Sequence, residues 1–283
     1  MIKLLTLILL VLLILIGGKR GLKTFFSIYF NLALLFILVI ITSWGFNPTI
    51  PTLVISIIIS IIIQFFINGT NKKTVSSFIS VILILLVFTS ITIILGNNIY
   101  IAGYSEEAIE SIGFINYNVG INMLPLSNSI IIIGLIGTIN DTSIAISSAL
   151  YELHENNKKL KPKELFISGM NIGRDILGTT ANTLFFAFLG SSMPLFIFFQ
   201  DFQYSLAGII NSQVFASEFT RIILSGISSF LIIPVSSIIT TIILKYDKED
   251  IYEKIEYYLR RQRTTSSRKR ITSTNDSNRK KRK

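Results

Sequence analysis

TFFSIYFNLALLFILVIITSWGFNPTIPTLVISIIISIIIQFFI, residues 24–67, contains no Asp, Glu, Lys, Arg or His. A water-soluble fold has no use for so long an uncharged run of Ile, Leu and Phe. A bilayer does, because each spanning helix needs about 20 mostly apolar residues. The run is long enough for two such helices, with Pro48 and Pro51 between them. It therefore predicts a helical membrane protein.

The composition of the whole chain leads to the same class and excludes others. Of its 283 residues 51% are hydrophobic and 15% are charged, whereas soluble domains carry about 25% charged residues. Cysteine is absent and His154 is the sole histidine, which excludes disulfides and argues against thiolate or histidine metal sites. Phosphate-binding, hydrolase and dinucleotide motifs are also missing. We expect no enzymatic activity, no cofactor and no metal site.

Apolar windows predict an all-α, polytopic membrane helix bundle of about seven transmembrane helices within residues 1–246. A cytoplasmic amphipathic helix is predicted at residues 247–263, followed by a disordered basic tail at 264–283. Pro194 and Pro234 fall inside the last two spans and are expected to kink them. The predicted spans are residues 4–18, 25–46, 50–67, 75–95, 129–151, 172–199 and 219–244.

The positions of the basic residues predict the orientation. With seven spans, all of the 26 Lys and Arg residues except Lys3 and Arg221 fall on one side. That side is expected to be the cytoplasm, with the N-terminus outside, in a bacterial plasma membrane. The basic tail is expected to attract anionic lipids, and no nucleic-acid module accompanies it. For the first span we favour a retained anchor, with a cleaved signal peptide as the alternative.

One face of the fifth predicted span is small or polar throughout. It carries Asp141 near the middle of the span, and the opposite face carries Ile136, Ile139 and Ile146. An ionisable group at bilayer depth is a functional candidate, since it is costly unless it is paired or hydrated. The remaining members of the small or polar face recur at steps of three and four: Gly134, Thr138, Ala145, Ser148 and Glu152.

The sixth predicted span has a similar face, formed by Asn171, Asp175, Gly178, Thr179 and Asn182. Because the two spans are consecutive and antiparallel, we expect their polar faces to meet. Close helix packing is predicted at Gly134, Gly137, Gly169, Gly173 and Gly178, the third and fourth in GxxxG spacing. The candidates for proton or ion coupling are Asp141, Asp175, Asn182, Thr179, Asn140 and Glu152.

A purely structural interpretation of these residues stays open. Thr138, Ser148 and Thr179 are typical of polar contacts that hold helices together in membranes. Glu218 and Arg221, three residues apart, resemble an interfacial ion pair. His154 is expected to lie solvated in the inner loop.

A dense set of polar and small residues recurs at fixed spacing within residues 134–190. Its members are Asp141, Ser147, Ser148, Leu150, Glu152, Gly169, Met170, Asn171, Gly173, Arg174, Asp175, Gly178, Thr179, Asn182, Thr183, Leu184 and Gly190. This set resembles the YibE/F family of bacterial membrane proteins. The resemblance implies a shorter, YibF-type member with a YibE-like partner subunit, and a homo-oligomer is an alternative. A weaker similarity links residues 137–190 to SecF and RND-type exporters, and it implies a proton-responsive Asp141.

Two functional hypotheses follow. The first is a proton- or ion-coupled transporter or permease subunit in which Asp141 is the coupling group. The second is a non-transporting membrane scaffold, or an assembly partner of a YibE-like subunit.

Overall fold

A computed structural model describes residues 1–99 and 123–245 of the chain. Helices make up nearly all of these two ranges, and the described residues contain no strand. The helices are α1 (Ile2–Ser43), α2 (Thr49–Ile61, continued by a π-helical turn at Ile62–Ile67), α3 (Lys72–Ile99), α4 (Met123–Asn156), α5 (Pro162–Asp201), the short α6 (Leu206–Asn211) and α7 (Gln213–Lys245).

Among the described residues, six helices are long and apolar enough to cross a membrane: α1, α2 with its π-helical turn, α3, α4, α5 and α7. The chain is therefore an integral membrane protein, and the prediction of an all-α membrane bundle is confirmed. Which side of the membrane each helix end faces stays a prediction.

The six helices and the seven predicted spans are reconciled by a backbone break within α1. Gly18 has φ +54° and ψ −130°, a conformation outside the helical region. The chain bends sharply at Gly18 and brings Gly21 against the backbone of Leu13. A Cβ atom added to Gly21 would overlap the Leu13 carbonyl oxygen. Glycine accepts the positive φ at position 18 and the close backbone approach at position 21 without strain, and a residue with a side chain does not. The two arms of α1, residues 2–17 and 19–43, correspond to the first two predicted spans.

Helices α4 and α5 extend beyond the apolar windows that predicted them. The predicted inner loop shrinks to residues 157–161 because α5 begins at Pro162, not near residue 172. The Lys161 backbone N–H donates to the Glu164 carboxylate at 2.8 Å, which caps the start of this helix. The prediction that His154 lies solvated in a loop is wrong, since it is in the last turn of α4 and only 3% exposed.

The apolar core lies where α3, α4 and α7 meet. The second arm of α1 packs on α2 through Leu38, Ile55 and Ile59. Both α5 and α7 continue through their internal prolines, Pro194 and Pro234. The core side chains are Val81, Ile84, Leu85 and Phe88 of α3, Ile131, Ile132, Leu135, Ile136 and Ile139 of α4, and Leu224 and Ile232 of α7.

Two predictions fall outside the described residues. They are the amphipathic helix at residues 247–263 and the basic tail at 264–283. Both stay predictions, as does the attraction of this region to anionic lipid.

Candidate functional site

The small and polar face of α4 lies at the surface of the chain. Asp141 is exposed, as are Gly137, Ala145 and Glu152. Its carboxylate forms no hydrogen bond or ion pair with any residue in the described ranges. Asp141 is near the middle of a helix that is long and apolar enough to span a membrane. This face therefore places an acid, with small residues on both sides of it, on the outside of the bundle.

The polar face of α5 is exposed too. Asn171, Asp175, Gly178, Thr179 and Asn182 all lie at the surface of the chain. The Thr179 hydroxyl donates to the Ile176 carbonyl of its own helix at 2.8 Å, and Asp175 has no partner among the described residues. The side chains predicted to line a shared cavity are thus presented outward.

The polar faces of α4 and α5 therefore do not meet within the chain, contrary to the sequence-based expectation. Helix α5 packs through its other face, where a Cβ atom on Gly169 would lie 2.9 Å from Ser237 Cβ and 3.0 Å from Leu150 Cδ1. A Cβ atom on Gly173 would overlap Ile233 of α7. Asp175 and Asn182 lie about half a turn around α5 from Gly173. Because Gly173 faces α7, these two polar side chains point away from it.

The remaining predicted packing glycines divide into two groups. Gly134 lies against α7, where an added Cβ atom would be 3.5 Å from Arg221 Cγ and 3.7 Å from Ser225 Oγ. An added Cβ atom on Gly137 or Gly178 would have no neighbouring atom within 4 Å among the described residues, so there is open space at both positions. Arg221 also pairs with Glu218 at 2.8 Å, on the same helix.

The buried side of α4 carries polar residues as well, namely Asn140, Ser143 and Ser147. Asn140 is 0% exposed. Its Oδ1 atom accepts a hydrogen bond from Gln64 Nε2 at 3.1 Å. Its Nδ2 atom donates to Ser60 Oγ at 3.1 Å and to the Ile136 carbonyl at 2.8 Å. Asn140 thus joins α4 to the end of α2 and to the π-helical turn that follows it.

A chain of buried hydroxyl groups continues from this point along α4. Ser77 Oγ of α3 donates to Ser143 Oγ at 3.0 Å, and Ser143 Oγ lies 3.3 Å from Ser236 Oγ of α7. Ser147 Oγ is 3.0 Å from Ser236 Oγ and 2.9 Å from Thr240 Oγ1. These five hydroxyl groups bind α3, α4 and α7 together in the interior of the bundle.

Sequence analysis named Asn140 but missed its partners and the hydroxyl chain. A signal for them exists in the spacing. Ser56, Ser60 and Gln64 recur every four residues in an otherwise apolar segment, as do the pairs Ser143 and Ser147, and Ser236 and Thr240. Residues four apart share one helix face, so each set marks a polar stripe.

Comparison with known proteins gives one match. The model of the family described as YibE/F-like protein matches residues 5–246. No curated protein matches, and no solved structure matches.

Proposed function

The chain belongs to the YibE/F-like protein family, and we propose that it is a subunit of a proton-coupled transporter in the bacterial plasma membrane. Asp141 is the coupling group in this proposal. Asp175, Thr179 and Asn182 of α5 contribute polar side chains to the path beside it. Of the other two coupling candidates, Asn140 lies on the buried side of α4 and Glu152 is exposed near the C-terminal end of this helix.

The exposure of Asp141 carries the proposal. An Asp at the centre of a membrane helix costs about 3 kcal/mol on insertion scales, and such residues almost always face a bundle interior or a water-filled cavity. Here the bundle interior is on the other side of α4, so the surroundings that Asp141 needs are not supplied by residues 1–99 and 123–245. A carboxyl group that meets water or a polar partner at mid-membrane can exchange a proton there.

A second membrane subunit is the best candidate to cover the two polar faces. Gly137 and Ala145 on α4, and Gly178 on α5, leave room for a helix to approach closely, as small residues do at membrane helix interfaces. A YibE-like subunit is the partner that the family resemblance implies, and a second copy of this chain is the alternative. The transport path would then run between two subunits.

Transport is tested by comparing the solutes that cells accumulate with and without the gene, and then by carrying the affected solute into proteoliposomes with an imposed pH gradient. We expect flux that depends on the gradient. Asp141→Asn should abolish it, because the amide keeps the shape of the carboxyl group but cannot release a proton.

Asp201→Asn is the matched control for this experiment. It makes the same change at an exposed acid, at the end of α5 and away from the polar faces, and it should leave flux unchanged. Normal gradient-dependent flux in Asp141→Asn would contradict the proposal. Lack of flux from both variants would point to damage that is not specific to Asp141.

The uncovered faces can be tested by thiol labelling, since the natural chain has no Cys to interfere. A membrane-permeant maleimide should label Ala145→Cys and Gly178→Cys in the chain expressed alone. Coexpression with a YibE-like subunit should protect both positions. Ile227→Cys, which is exposed on α7, is the control and should react equally in both samples.

The scaffold hypothesis is the second candidate, and the open glycines favour it as much as they favour a transporter subunit. It predicts that the thiols at Ala145 and Gly178 are protected by a partner while Asp141→Asn functions normally. The flux experiment therefore separates the two functions, and the labelling experiment tests the interface that they share.

A further inference from the structure

Gln64 has a buried oxygen atom that its neighbours do not satisfy. The residue is 0% exposed, and Oε1 has no hydrogen-bond partner within residues 1–99 and 123–245. Leaving a buried acceptor unpaired is unfavourable, because the atom loses its hydrogen bond to water and gains none in the protein. We propose that Gln64, Asn140 and Ser60 form a binding site for one alkali-metal cation.

The two residues that hydrogen bonds link to Gln64, Asn140 directly and Ser60 through Asn140, also carry oxygen atoms with unused lone pairs. Asn140 Oδ1 accepts one hydrogen bond, from Gln64, and an amide oxygen can accept two. Ser60 Oγ accepts from Asn140 and donates its proton to the Ser56 carbonyl at 3.0 Å, which leaves one lone pair. Both N–H groups of the Asn140 amide are already used, on Ser60 and on Ile136. A group that presents only positive charge would satisfy all three oxygen atoms.

The absence of nearby charge determines which cation fits. No group of three or more His, Cys, Asp or Glu side chains that could hold a metal ion occurs among the described residues. Asp141 follows Asn140 directly but lies on the exposed face. Neutral amide, hydroxyl and carbonyl oxygens bind hard cations. They offer no negative charge to offset the desolvation of a divalent ion, which is far larger than that of a monovalent ion.

The backbone at Gln64 supports a binding role. The α-helical hydrogen-bond pattern of α2 ends at Ile61 and becomes π-helical over Ile62–Ile67. π-Helical turns are rare, and this one closes the C-terminal end of the second membrane helix with Gln64 buried inside it.

This inference does not depend on the proposed function, because it concerns binding and not transport. Asp141 lies on the exposed side of α4, and the Gln64 site lies against its buried side at Asn140. A protein that binds the cation but carries no solute would remove the transport proposal and leave this one. Flux that depends on Asp141, with no cation bound at Gln64, would support the transport proposal and overturn the cation site.

The experiment measures the midpoint temperature of unfolding of the purified full chain in detergent. NaCl or KCl replaces N-methyl-D-glucamine chloride at constant ionic strength. Binding to the folded state alone stabilises it in proportion to the logarithm of ligand concentration. We expect a rise of about 5 °C at a hundredfold excess over the dissociation constant, for at least one of the two salts. Equilibrium dialysis with radioactive sodium or rubidium should give one ion per chain.

Gln64→Leu should abolish the cation-dependent rise, whatever its stability in the cation-free buffer. Ser60→Ala, which removes one oxygen atom, should weaken the apparent affinity about tenfold, and it serves if the first variant does not fold. Ser80→Ala is the matched control. It removes a buried hydroxyl whose hydrogen bond, to the Ser76 carbonyl at 2.8 Å, stays within α3, and it should keep the full rise.

Equal unfolding temperatures in all salts, with no ion bound in dialysis, would overturn the proposal and leave water as the partner of Gln64. A rise that persists in Gln64→Leu would overturn it as well, since the ion would then bind elsewhere.

Discussion

Asn140 and Asp141 are neighbours in sequence and have opposite surroundings. Asn140 is 0% exposed and hydrogen-bonded to two helical segments and to its own helix, whereas Asp141 is exposed and has no partner among the described residues. The same division separates Gly173 from Gly178 on α5. Uncharged polar groups thus close the bundle from within, and the charged group is left for something outside the chain.

This difference explains how one helix can serve two purposes. An amide or a hydroxyl group can satisfy itself with a few neutral partners inside a bundle. A carboxylate needs water or a counter-charge, and neither is supplied by the apolar core. The inward face therefore specifies which helices pack together, and the outward face is available for chemistry or assembly. Substitutions on the two faces should then have separable effects, on unfolding and on function.

The largest effect on stability is expected from the glycine pair on α5. A side chain at position 173 would overlap Ile233, so Gly173→Val should lower the free energy of unfolding by about 3 kcal/mol. Gly178→Val has open space and should change it by less than about 0.5 kcal/mol. Unfolding in mixed detergent micelles measures both. Similar losses in the two variants would show that the outward face of α5 is packed as tightly as the inward one.

A smaller effect is expected from the pair on α4. Asn140→Leu keeps the approximate volume but leaves the buried amide of Gln64 without a partner, and it should cost about 2 kcal/mol. Asp141→Leu removes no hydrogen bond or ion pair formed with the described residues and should leave unfolding nearly unchanged, while function or assembly is lost. Equal destabilisation by both variants would remove the distinction between the two faces of this helix.

The smallest effect is expected from two adjacent serines. Ser147 bonds to Ser236 and Thr240, whereas Ser148 is half-buried on the other side of α4. Interhelical hydrogen bonds in membrane proteins contribute about 0.6 kcal/mol on average, so Ser147→Ala should cost about 1 kcal/mol for its two bonds. Ser148→Ala should be neutral in the same unfolding assay. A neutral Ser147→Ala would mean that the hydroxyl chain adds no stability.

Hydropathy located the helices because the requirement for an apolar length is strong and local. It misplaced the start of α5, since Lys163 and Glu164 are too polar for a spanning segment yet form a capped first helical turn. It also predicted separate segments before and after Lys19 and Arg20, and the helix breaks beside them, at Gly18. That each arm crosses the membrane stays a prediction. The membrane class and the family resemblance are confirmed, and the orientation and the basic tail stay predictions.

The candidate site was only partly accessible from the sequence. Periodicity grouped Asp141 with Ala145 and Glu152 on one face, but it could not say whether that face points into or out of the bundle. The expectation that it would meet α5 assumed that an acid must be satisfied by its own chain. Gln64 was overlooked because glutamine is uncharged and because no clustering of Cys, His or acids marks an oxygen-only site.

The bend at Gly18 bears on the number of membrane crossings in the chain. If each arm of α1 crosses the membrane, Lys3 and the pair Lys19 and Arg20 lie on opposite faces, and every later loop changes sides relative to a chain in which α1 runs straight. On that premise, the positive φ of Gly18 sets which side of the membrane each later loop occupies relative to the N-terminus. If a helix-forming residue replaced Gly18 and α1 became straight, Lys19 and Arg20 would lie near the middle of the membrane. Lys3 and the later basic loops would then favour different orientations of the chain.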